Sequence, residues 1–289
     1  MKSVAALILN YNDSETTIKL VQTIRSYDSL EKIVVVDNCS TDNSLDELRK
    51  IESDRVIVIQ TDHNGGYGAG NNAGFKYIYE NLHCKYTLLA NPDVVITDEC
   101  IDKLVNVLEN TPSFCMVAPV QKLHSANGKM VPNWRLGNIR ESILSTSIFL
   151  SRVFHINLAY DYGKHEKEEL AECDVIQGAL YLANTAVMYN DAHYDEELFL
   201  YNEEECVAQK IRNAGYKSGV LLSDIYVHNH SVSINKSINS AIKRKKIMLN
   251  SRRVYIDKYL QPHKGDRILM NVVFSLALVE SLVLQAIRR

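Results

Sequence analysis

Three short apolar runs near the N-terminus, VAALIL (4–9), KIVVV (32–36) and RVIVI (55–59), decide the fold of this chain. Each has the length and composition of a buried strand, and polar residues follow each run directly. The segment after the first run carries apolar residues at helical spacing, namely Ile18, Val21 and Ile24. Strands that alternate with helices in this way are typical of a parallel sheet with right-handed crossover helices.

The same alternation continues along the chain. A Gly/Asn-rich stretch over 63–72 is expected to be a loop, followed by a helix to about residue 81. Further strands are predicted over 85–90, 116–120, 175–182 and 220–227, and further helices over 99–109 and 203–214. We therefore predict an α/β fold with a mostly parallel central sheet over residues 1–235 and a helical extension over 236–289.

Composition and charge restrict the functional classes. Hydrophobic residues make up 46% and charged residues 23% of the 289 residues, which excludes a disordered or collagen-like chain. Residues 1–235 contain 20 Lys and Arg against 32 Asp and Glu, whereas residues 236–267 contain 10 against 2. An acidic body with a basic segment predicts contact with an anionic surface, and a basic stretch confined to one end argues against a nucleic-acid groove. The six cysteines are scattered without zinc spacing, and the N-terminus reads as a core strand, so we expect a reduced, cytoplasmic protein.

Polar clusters follow four of the predicted strands: Asn10-Tyr11-Asn12, Asp37-Asn38, Asp62-His63-Asn64 and Asn91-Pro92-Asp93. Ligands of open parallel sheets bind beyond the carboxyl ends of the strands, so these clusters are expected to share one crevice. Neither GxGxxG nor a P-loop follows the first strand. A nucleotide would therefore be bound by a protein carboxylate or amide that contacts its base or ribose, for which Asp37 is well placed. The alternative is that Asn and Asp here serve only turns and caps.

Five motifs in order carry a family resemblance: LILNYN (7–12), VVDNCSTD (35–42), NGGYGAGNNAG (64–74), LLANPD (88–93) and YDEELFLYNEEE (194–205). Together they resemble a family 2 glycosyltransferase of the GT-A fold, in the rhamnosyltransferase-like branch of bacterial surface-polysaccharide enzymes. The resemblance covers about residues 4–235.

The resemblance implies a donor site and a metal site. Asp37 would hold the nucleotide base, and the other implied donor-binding residues are Asn10, Tyr11, Asn12, Asn38, Asn64, Gly66, Gly68, Asn71 and Asn91. Asp93 stands at the DxD position and would bind Mn²⁺ or Mg²⁺, whose charge neutralises the leaving diphosphate. The family's late histidine, which completes such a metal site, aligns with His228, although His230 is also close.

The resemblance also implies a base and an acceptor site. Glu203 and Glu204 stand where the family has its catalytic acidic pair, and one carboxylate would remove the proton of the acceptor hydroxyl. The chain departs from the family because Glu204 replaces the usual Asp and Cys206 replaces an acid. The alternative is that these residues only complement the helix macrodipole. Acceptor contacts are assigned to four residues: Asp195, Glu196, Trp134 and Arg135.

The C-terminal extension combines a basic amphipathic stretch over 236–260 with an apolar stretch over 268–287. Basic amphipathic helices bind membrane surfaces, although a solvated helix face or a dimer interface has the same pattern. The apolar stretch is long enough to span a bilayer, but Glu280 within it makes insertion costly. We expect a helix that lies on the membrane or packs against a second subunit, with a spanning helix as the remaining alternative.

These inferences predict an inverting, metal-dependent hexosyltransferase at the inner face of the cell membrane. It would move a sugar, best L-rhamnose from dTDP-rhamnose, to a lipid-linked or polysaccharide acceptor of a capsule, O-antigen or cell-wall glycan. UDP-galactofuranose or another UDP-sugar is the alternative donor. A sugar-phosphate nucleotidyltransferase and a non-catalytic membrane-docking scaffold are the alternative classes.

Overall fold

The structure is a computed structural model that describes residues 3–123, 130–161, 169–229 and 240–287. Its strands are β1 Val4–Asn10, β2 Lys32–Asp37, β3 Val56–Gln60, β4 Tyr86–Ala90, β5 Val94–Val95, β6 Phe114–Leu123, β7 Met130–Val131, β8 Leu170–Glu172, β9 Leu180–Asn184 and β10 Lys217–His228. Its helices are α1 Ser14–Ile24, α2 Ser44–Arg49, α3 Gly66–Tyr77 with a π-helical turn Ile78–Leu82, α4 Asp98–Asn110, α5 Ile139–Leu144, α6 Ile148–Val153, α7 Thr185–Asn190, α8 Glu203–Asn213, α9 Ala241–Tyr259 and α10 Lys264–Ile287.

One sheet runs through the described part of the chain in the order β3-β2-β1-β4-β9-β6-β10-β5. Strands β3, β2, β1 and β4 are parallel, as their separation by crossover helices requires. The register places Asn10 directly beside Asp37, because both residues end their strands at the same edge. The predicted α/β fold with polar strand ends at one edge is therefore confirmed.

Antiparallel pairing enters the sheet at β9, which lies between β4 and β6. The strand expected over 175–182 was placed five residues early, since β9 begins at Leu180. Val175 instead forms an isolated bridge to Trp134, and the backbone N–H of Gln177 donates to Asn133 Oδ1. Val175 and Gln177 therefore bond to residues 133 and 134, and the chain enters the sheet only after them.

The Gly/Asn-rich stretch expected as a loop over 63–72 is helical from Gly66 onward. Glycine is a weak helix former, which is why the sequence favours a loop. Packing overrides that preference, because a β-carbon at Gly70 or Gly74 would lie 2.4 or 2.1 Å from a methyl group of Leu9 or Leu7. The glycines let α3 approach β1 closely.

Both faces of the sheet are covered by apolar clusters, and a third cluster joins the extension to the rest of the molecule. In this third cluster, Tyr255 and Ile256 of α9 and Phe274 of α10 pack against Ile143 and Leu198. The extension is thus packed on the α/β unit. The boundary predicted at residue 235 falls within 230–239, outside the described residues.

Within the described residues, Lys264–Ile287 is the helix that is long and apolar enough to cross a membrane. Its buried residues Met270, Val273, Phe274 and Ala277 follow helical spacing and form one packed face. The opposite face is also apolar, and Val272 is 63% exposed.

Candidate active site

Asp37 ends β2 and lies fully buried among three hydrogen-bond donors. Its Oδ1 accepts from Asn10 Nδ2 at 2.9 Å and from Ser40 Oγ at 2.6 Å, and its Oδ2 accepts from the Ser40 backbone N–H at 3.0 Å. The carboxylate therefore has a fixed orientation at the carboxyl end of the sheet. This geometry places Asp37 and Asn10 together, as the sequence predicts.

The turn after β1 is tied to the turn after β2. Asn12 adopts a left-handed conformation with φ of 53°, its backbone N–H donates to Ser40 Oγ, and its Oδ1 accepts from the Thr41 N–H at 2.8 Å. The partly exposed Tyr11 precedes it in the turn. Asn12 thus stabilises a turn, which is the alternative role that the sequence allows for Asn and Asp at the strand ends.

Asn38 organises the segment that leads into α3. Its Nδ2 donates to Asn64 Oδ1 and to the Gly66 carbonyl, both at 3.0 Å, and the Gly66 N–H also donates to Asn64 Oδ1. Asn71 is buried and donates to the Tyr67 carbonyl within the same helix. Asn38, Asn64 and Gly66 are therefore brought together, whereas Asn71 is engaged inside α3.

Gly66 and Gly68 pack closely against other residues of the protein. A β-carbon at Gly66, where φ is +91°, would lie 2.2 Å from the Phe199 carbonyl oxygen, and one at Gly68 would lie 2.9 Å from Tyr194 Cβ. The sequence interpretation assigned these glycines to close approach of the donor. In the structure they allow the segment 194–202 to lie against the start of α3.

Asp93 and His228 meet at the end of the sheet although they are 135 residues apart in sequence. Antiparallel pairing of β10 with β5 brings His228 opposite Val94, and His228 Nε2 lies 3.1 Å from Asp93 Oδ1. His228 Nδ1 lies 3.1 Å from Gln121 Nε2, and Tyr226 donates to Gln121 Oε1 at 2.8 Å. Gln121 and Tyr226 therefore fix the orientation of the imidazole through its Nδ1 side. The alternative residue His230 lies outside the described residues.

A carboxylate oxygen and an imidazole nitrogen at this separation can both contact one divalent cation, and both are ordinary ligands of Mn²⁺. The described residues contain no cluster of three or more His, Cys, Asp or Glu that could hold a metal. Two protein ligands suit a cation that keeps water and phosphate oxygens as its other ligands. The two side chains therefore fit the predicted ion, which Asp93 and His228 would hold.

The three glutamates form the first turn of α8, which begins after Asn202 in a left-handed conformation. Glu204 is partly buried, and its Oε1 lies so close to Gly178 that a β-carbon there would be 2.9 Å away. The Gly178 carbonyl accepts from the Tyr67 hydroxyl, which also donates to Asn91 Oδ1 at 3.3 Å. Gly178 and Tyr67 thereby connect Glu204 to the Asn91-Pro92-Asp93 turn.

Burial and the neighbouring Glu205 raise the pKa of Glu204 to about 7. Burial, followed by the charge of Glu204, raises the pKa of Glu203 well above its ordinary value. Glu203 Oε1 has no hydrogen-bond partner among the described residues. A carboxyl group that titrates near neutral pH is suited to general base catalysis, so Glu204 has the environment that a base needs.

The residues predicted to contact the acceptor are dispersed. Asp195 is buried and accepts from Tyr259 at 2.7 Å, while Glu196 accepts from Asn72 and lines a cleft of about 480 Å³ along the outer face of α3. Trp134 packs against the third cluster, and Arg135 forms an ion pair with Glu141. The structure does not bring these four side chains to one surface.

Sequence reasoning missed Tyr67, Gly178, Gln121 and Arg252. Tyr67 lies inside a quoted motif, but its hydroxyl contact depends on a residue 111 positions away. Arg252 was included in the membrane-binding stretch, whereas its guanidinium lies 3.1 Å from Glu205. Only the fold shows which partner each of these side chains has.

This sheet and site define a class of protein. Residues 6–161 match the model of glycosyl transferase family 2, and this match covers more than half of the chain. The chain therefore belongs to glycosyl transferase family 2 and is a glycosyltransferase. A low-salt glycan biosynthesis hexosyltransferase of Haloferax volcanii is 25% identical over 233 residues, which are 80% of this chain and 69% of that protein.

Solved structures share the fold at low sequence identity. GalNAc-T7 with UDP, GalNAc and Mn²⁺ has a TM-score of 0.66 at 13% identity, over 89% of this chain and 48% of that one. A Pyrobaculum calidifontis mannosyltransferase with GDP-Man and Mn²⁺ has a TM-score of 0.56 at 14% identity, over 98% and 75%. Staphylococcus aureus TarS with UDP-GlcNAc has a TM-score of 0.55 at 18% identity, over 93% and 70%. This chain thus spans about half the length of the first of these, and its fold is GT-A.

Proposed function

We propose that this protein is an inverting hexosyltransferase that uses a nucleoside diphosphate sugar and a divalent cation. The observation that carries the proposal is the connection of Glu204, through Gly178 and Tyr67, to the turn that holds Asn91 and Asp93. A base candidate and a metal-binding candidate therefore share one edge of the sheet. Inverting transfer requires this arrangement, since the nucleophile is deprotonated while the diphosphate leaves.

In the proposed reaction, Glu204 accepts the proton of an acceptor hydroxyl as that oxygen attacks the anomeric carbon of the donor. The bond between this carbon and the diphosphate oxygen breaks, and the diphosphate leaves with the electron pair. A cation held by Asp93 and His228 supplies positive charge for the diphosphate when bound. Glu204 is favoured over Glu203 because Glu203 is 3% exposed, whereas Glu204 is partly open and matches the family's catalytic position.

The donor is proposed from the motif resemblance, which favours dTDP-rhamnose, followed by UDP-galactofuranose or another UDP-sugar. Solved neighbours that carry UDP or GDP-Man agree with a nucleotide at the strand ends, where Asp37 and Asn10 lie. The acceptor is proposed to be a lipid-linked or polysaccharide glycan, and a relative in glycan biosynthesis is consistent with this. Residues 1–235 would form the transferase domain and 236–289 an accessory extension.

We also propose that the enzyme docks on the inner face of the cell membrane through α6 and α10. Exposed apolar residues of the two helices, together with Phe154 directly after α6, form what we call the apolar surface: Ile148, Phe149, Val153, Phe154, Ile268, Val272, Val279, Leu282, Val283, Leu284 and Ile287. Glu280 joins the two helices, because it accepts from Ser147 Oγ at 2.6 Å and from the Ile148 N–H at 2.9 Å. Exposed Arg152 and Lys264 on the same helices complement anionic lipid.

Glu280 also bears on how α10 would meet the membrane. Although burial raises its pKa, hydrogen bonds from Ser147, Ile148 and Phe149 lower the pKa of Glu280 overall, so this carboxylate is held in its charged form. A spanning α10 would give up these bonds inside hydrocarbon. The structure therefore favours α10 lying in the interface.

Isothermal titration calorimetry with dTDP, UDP and GDP, each with and without Mn²⁺, tests the catalytic proposal. We expect metal-dependent binding of one nucleotide, with the metal dependence lost in Asp93→Ala. Asp46→Ala, at an exposed position of α2, is the matched control and should bind as the wild type does. Binding of none of the three nucleotides with Mn²⁺, or equal metal dependence in Asp93→Ala, would contradict the proposal.

A further inference from the structure

Helix α9 lies outside the motifs of the family, yet four of its side chains hold the segment 195–205. Ser251 Oγ donates to the Leu200 carbonyl at 2.7 Å, and Arg252 lies 3.1 Å from Glu205 Oε1. Lys258 and Tyr259 both contact Asp195 Oδ2, at 2.8 and 2.7 Å. The four contacts cover both ends of the segment that leads into Glu203 and Glu204.

The ion pair of Arg252 and Glu205 is more enclosed than that of Lys258, whose side chain is 45% exposed. The Arg252 side chain is 14% exposed and that of Glu205 is 9% exposed. The second carboxylate oxygen of Glu205 accepts from Asn202 Nδ2 at 3.2 Å, at the residue that precedes α8. Because a largely desolvated ion pair is costly to break, Arg252 holds the first turn of α8 in place through Glu205.

We propose that Arg252 is a positioning residue of the active site, which acts through Glu205 to hold Glu204 in the geometry that transfer requires. The inference rests on the proposed function, because it assigns Arg252 a part in that same reaction. The sequence placed Arg252 among membrane-binding residues, and the family resemblance ends before it. The structure assigns it to the catalytic turn.

Charge supports the same conclusion. Arg252 offsets the clustered carboxylates, and its charge lowers the pKa of Glu204 while Glu205 raises it. The titratable groups around Glu204 are Glu203, Glu205, Arg252, Tyr67, Tyr181 and Tyr194. Asp174 lines the same cavity as Glu204 and forms its own ion pair with Arg212 at 2.7 Å. Arg252 is the cation in the set around Glu204. Its removal therefore leaves the adjacent carboxyl groups of Glu203, Glu204 and Glu205 without its compensating positive charge.

The experiment measures steady-state release of nucleoside diphosphate as a function of pH, with dTDP-rhamnose, UDP-galactofuranose and GDP-mannose as donors. A detergent extract of bacterial membranes supplies the acceptor. In Arg252→Met we expect kcat at pH 7 to fall about tenfold and the acid limb of the kcat profile to move up by about one pH unit. Nucleotide affinity should stay within about twofold, since Asp37 and Asp93 are untouched.

Two further variants keep the test decisive. Arg252→Lys retains the charge and should restore most of kcat, and Arg252→Met with Glu205→Gln removes both charges and should return the acid limb toward that of the wild type. Arg253→Met is the matched control, because Arg253 contacts Asn271 and the ring of Phe274 and should leave the acid limb in place.

The outcomes separate the two proposals. Wild-type protein that releases no diphosphate from any of the three donors overturns both the proposed function and this inference. Wild-type activity with an unshifted acid limb in Arg252→Met overturns this inference alone. An equal shift in Arg253→Met does so as well, because the effect would then belong to helix packing.

Discussion

Glu204 shows how a single side chain acquires its chemistry from its neighbours. In the first turn of a helix, an exposed glutamate would only complement the macrodipole. Here burial, followed by the charge of Glu205, raises its pKa to about 7, while Gly178 leaves room for its carboxylate. The residue type was predictable from the motif, but its proton affinity depends on side chains that the fold brings together.

Gly178 gives a direct test of this environment. In Gly178→Ala the new methyl group would lie 2.9 Å from Glu204 Oε1, and the flexible carboxylate would move away to avoid it. We therefore expect kcat to fall about tenfold or more, with a melting temperature close to that of the wild type. Diphosphate release and differential scanning fluorimetry measure the two effects. A large loss of melting temperature would show that Gly178 serves the fold and not the position of Glu204.

The raised pKa of Glu204 also predicts a pH-dependent stability. Because its folded-state pKa of about 7 lies above the ordinary 4.5, its contribution to stability is fully present below pH 4.5 and is lost as pH rises through 7. Glu204→Gln should therefore abolish transfer and yet stabilise the fold at pH 8 by about 2 kcal/mol. Urea unfolding at pH 8 and at pH 4 measures the difference, which should vanish at pH 4.

The matched control is Glu99→Gln, an exposed glutamate in the first turn of α4. It removes a comparable macrodipole contribution without the burial, so it should not gain stability at pH 8. A Glu204→Gln protein that is equally stable or less stable than the wild type at pH 8 would contradict the burial argument.

At the scale of elements, α3 and α9 depart most from their predicted roles. The first half of α3 was expected to be a donor loop, and it is a helix whose glycines allow contact with β1 and the segment 194–202. Helix α9 was expected to expose its cations to a membrane. Instead Lys245 donates to the Thr146 carbonyl at 2.7 Å, and burial lowers the pKa of Lys245, while Arg252 pairs with Glu205. Both helices carry the polar patterns of surfaces but make contacts inside the molecule.

Gly66 tests the packing of α3 against the segment 194–202. In Gly66→Ala the methyl group would lie 2.2 Å from the Phe199 carbonyl oxygen, at a φ of +91° that an L-residue rarely adopts. We expect a loss of about 3 kcal/mol in the free energy of unfolding, since strain and a backbone clash add. Gly215→Ala is the control, because its φ is +81° with nothing within 4 Å of the added carbon.

Chemical denaturation distinguishes the two glycines. Gly215→Ala should lose only the strain of a left-handed alanine, about 1 kcal/mol. Equal losses in the two variants would mean that the Phe199 contact contributes nothing, and that the segment 194–202 moves aside freely.

For the whole molecule, the extension combines an inward face that supports the site with an outward apolar surface. Phe274 and Tyr255 belong to the third cluster, while Val272 and Phe149 are 63% and 60% exposed. An exposed apolar area on this scale usually marks a docking surface. Membrane docking through α6 and α10 would leave intact the contact between Arg252 of α9 and Glu205 in the first turn of α8.

Vesicle binding tests this arrangement. Val272→Asn with Val283→Asn should reduce the affinity for phosphatidylglycerol vesicles in co-sedimentation about thirtyfold or more, since each change removes about 1 to 2 kcal/mol of apolar burial. Arg152→Gln with Lys264→Gln should weaken mainly the salt-sensitive part of vesicle binding, because these two exposed cations lie on the docking helices. Val95→Asn, at a valine of β5 that is 51% exposed, is the control. Unchanged vesicle binding in the double valine variant would contradict the proposal. A dimer detected by light scattering would instead assign the apolar surface to contact with a second subunit.

The sequence by itself determined the alternation of strands and helices at the N-terminus, the polar strand ends and the family. Continuous apolar runs have few alternatives to buried parallel strands, and Asn10 and Asp37 become neighbours once such strands pair in register. The contacts that the sequence did not predict join residues that are far apart along the chain. Gly66 meets Phe199, Arg252 meets Glu205, and Asp195 meets Tyr259.

Only the tertiary structure decided those contacts, and with them the chemistry of the site. A local pattern reports how polar a segment is, but burial and charge depend on which segments meet in space. The distance between His228 and Asp93 follows from an antiparallel pair that closes the sheet, and the pKa of Glu204 follows from desolvation between α8 and residue 178. Desolvation and electrostatic coupling are properties of the assembled core, so no stretch of sequence contains them.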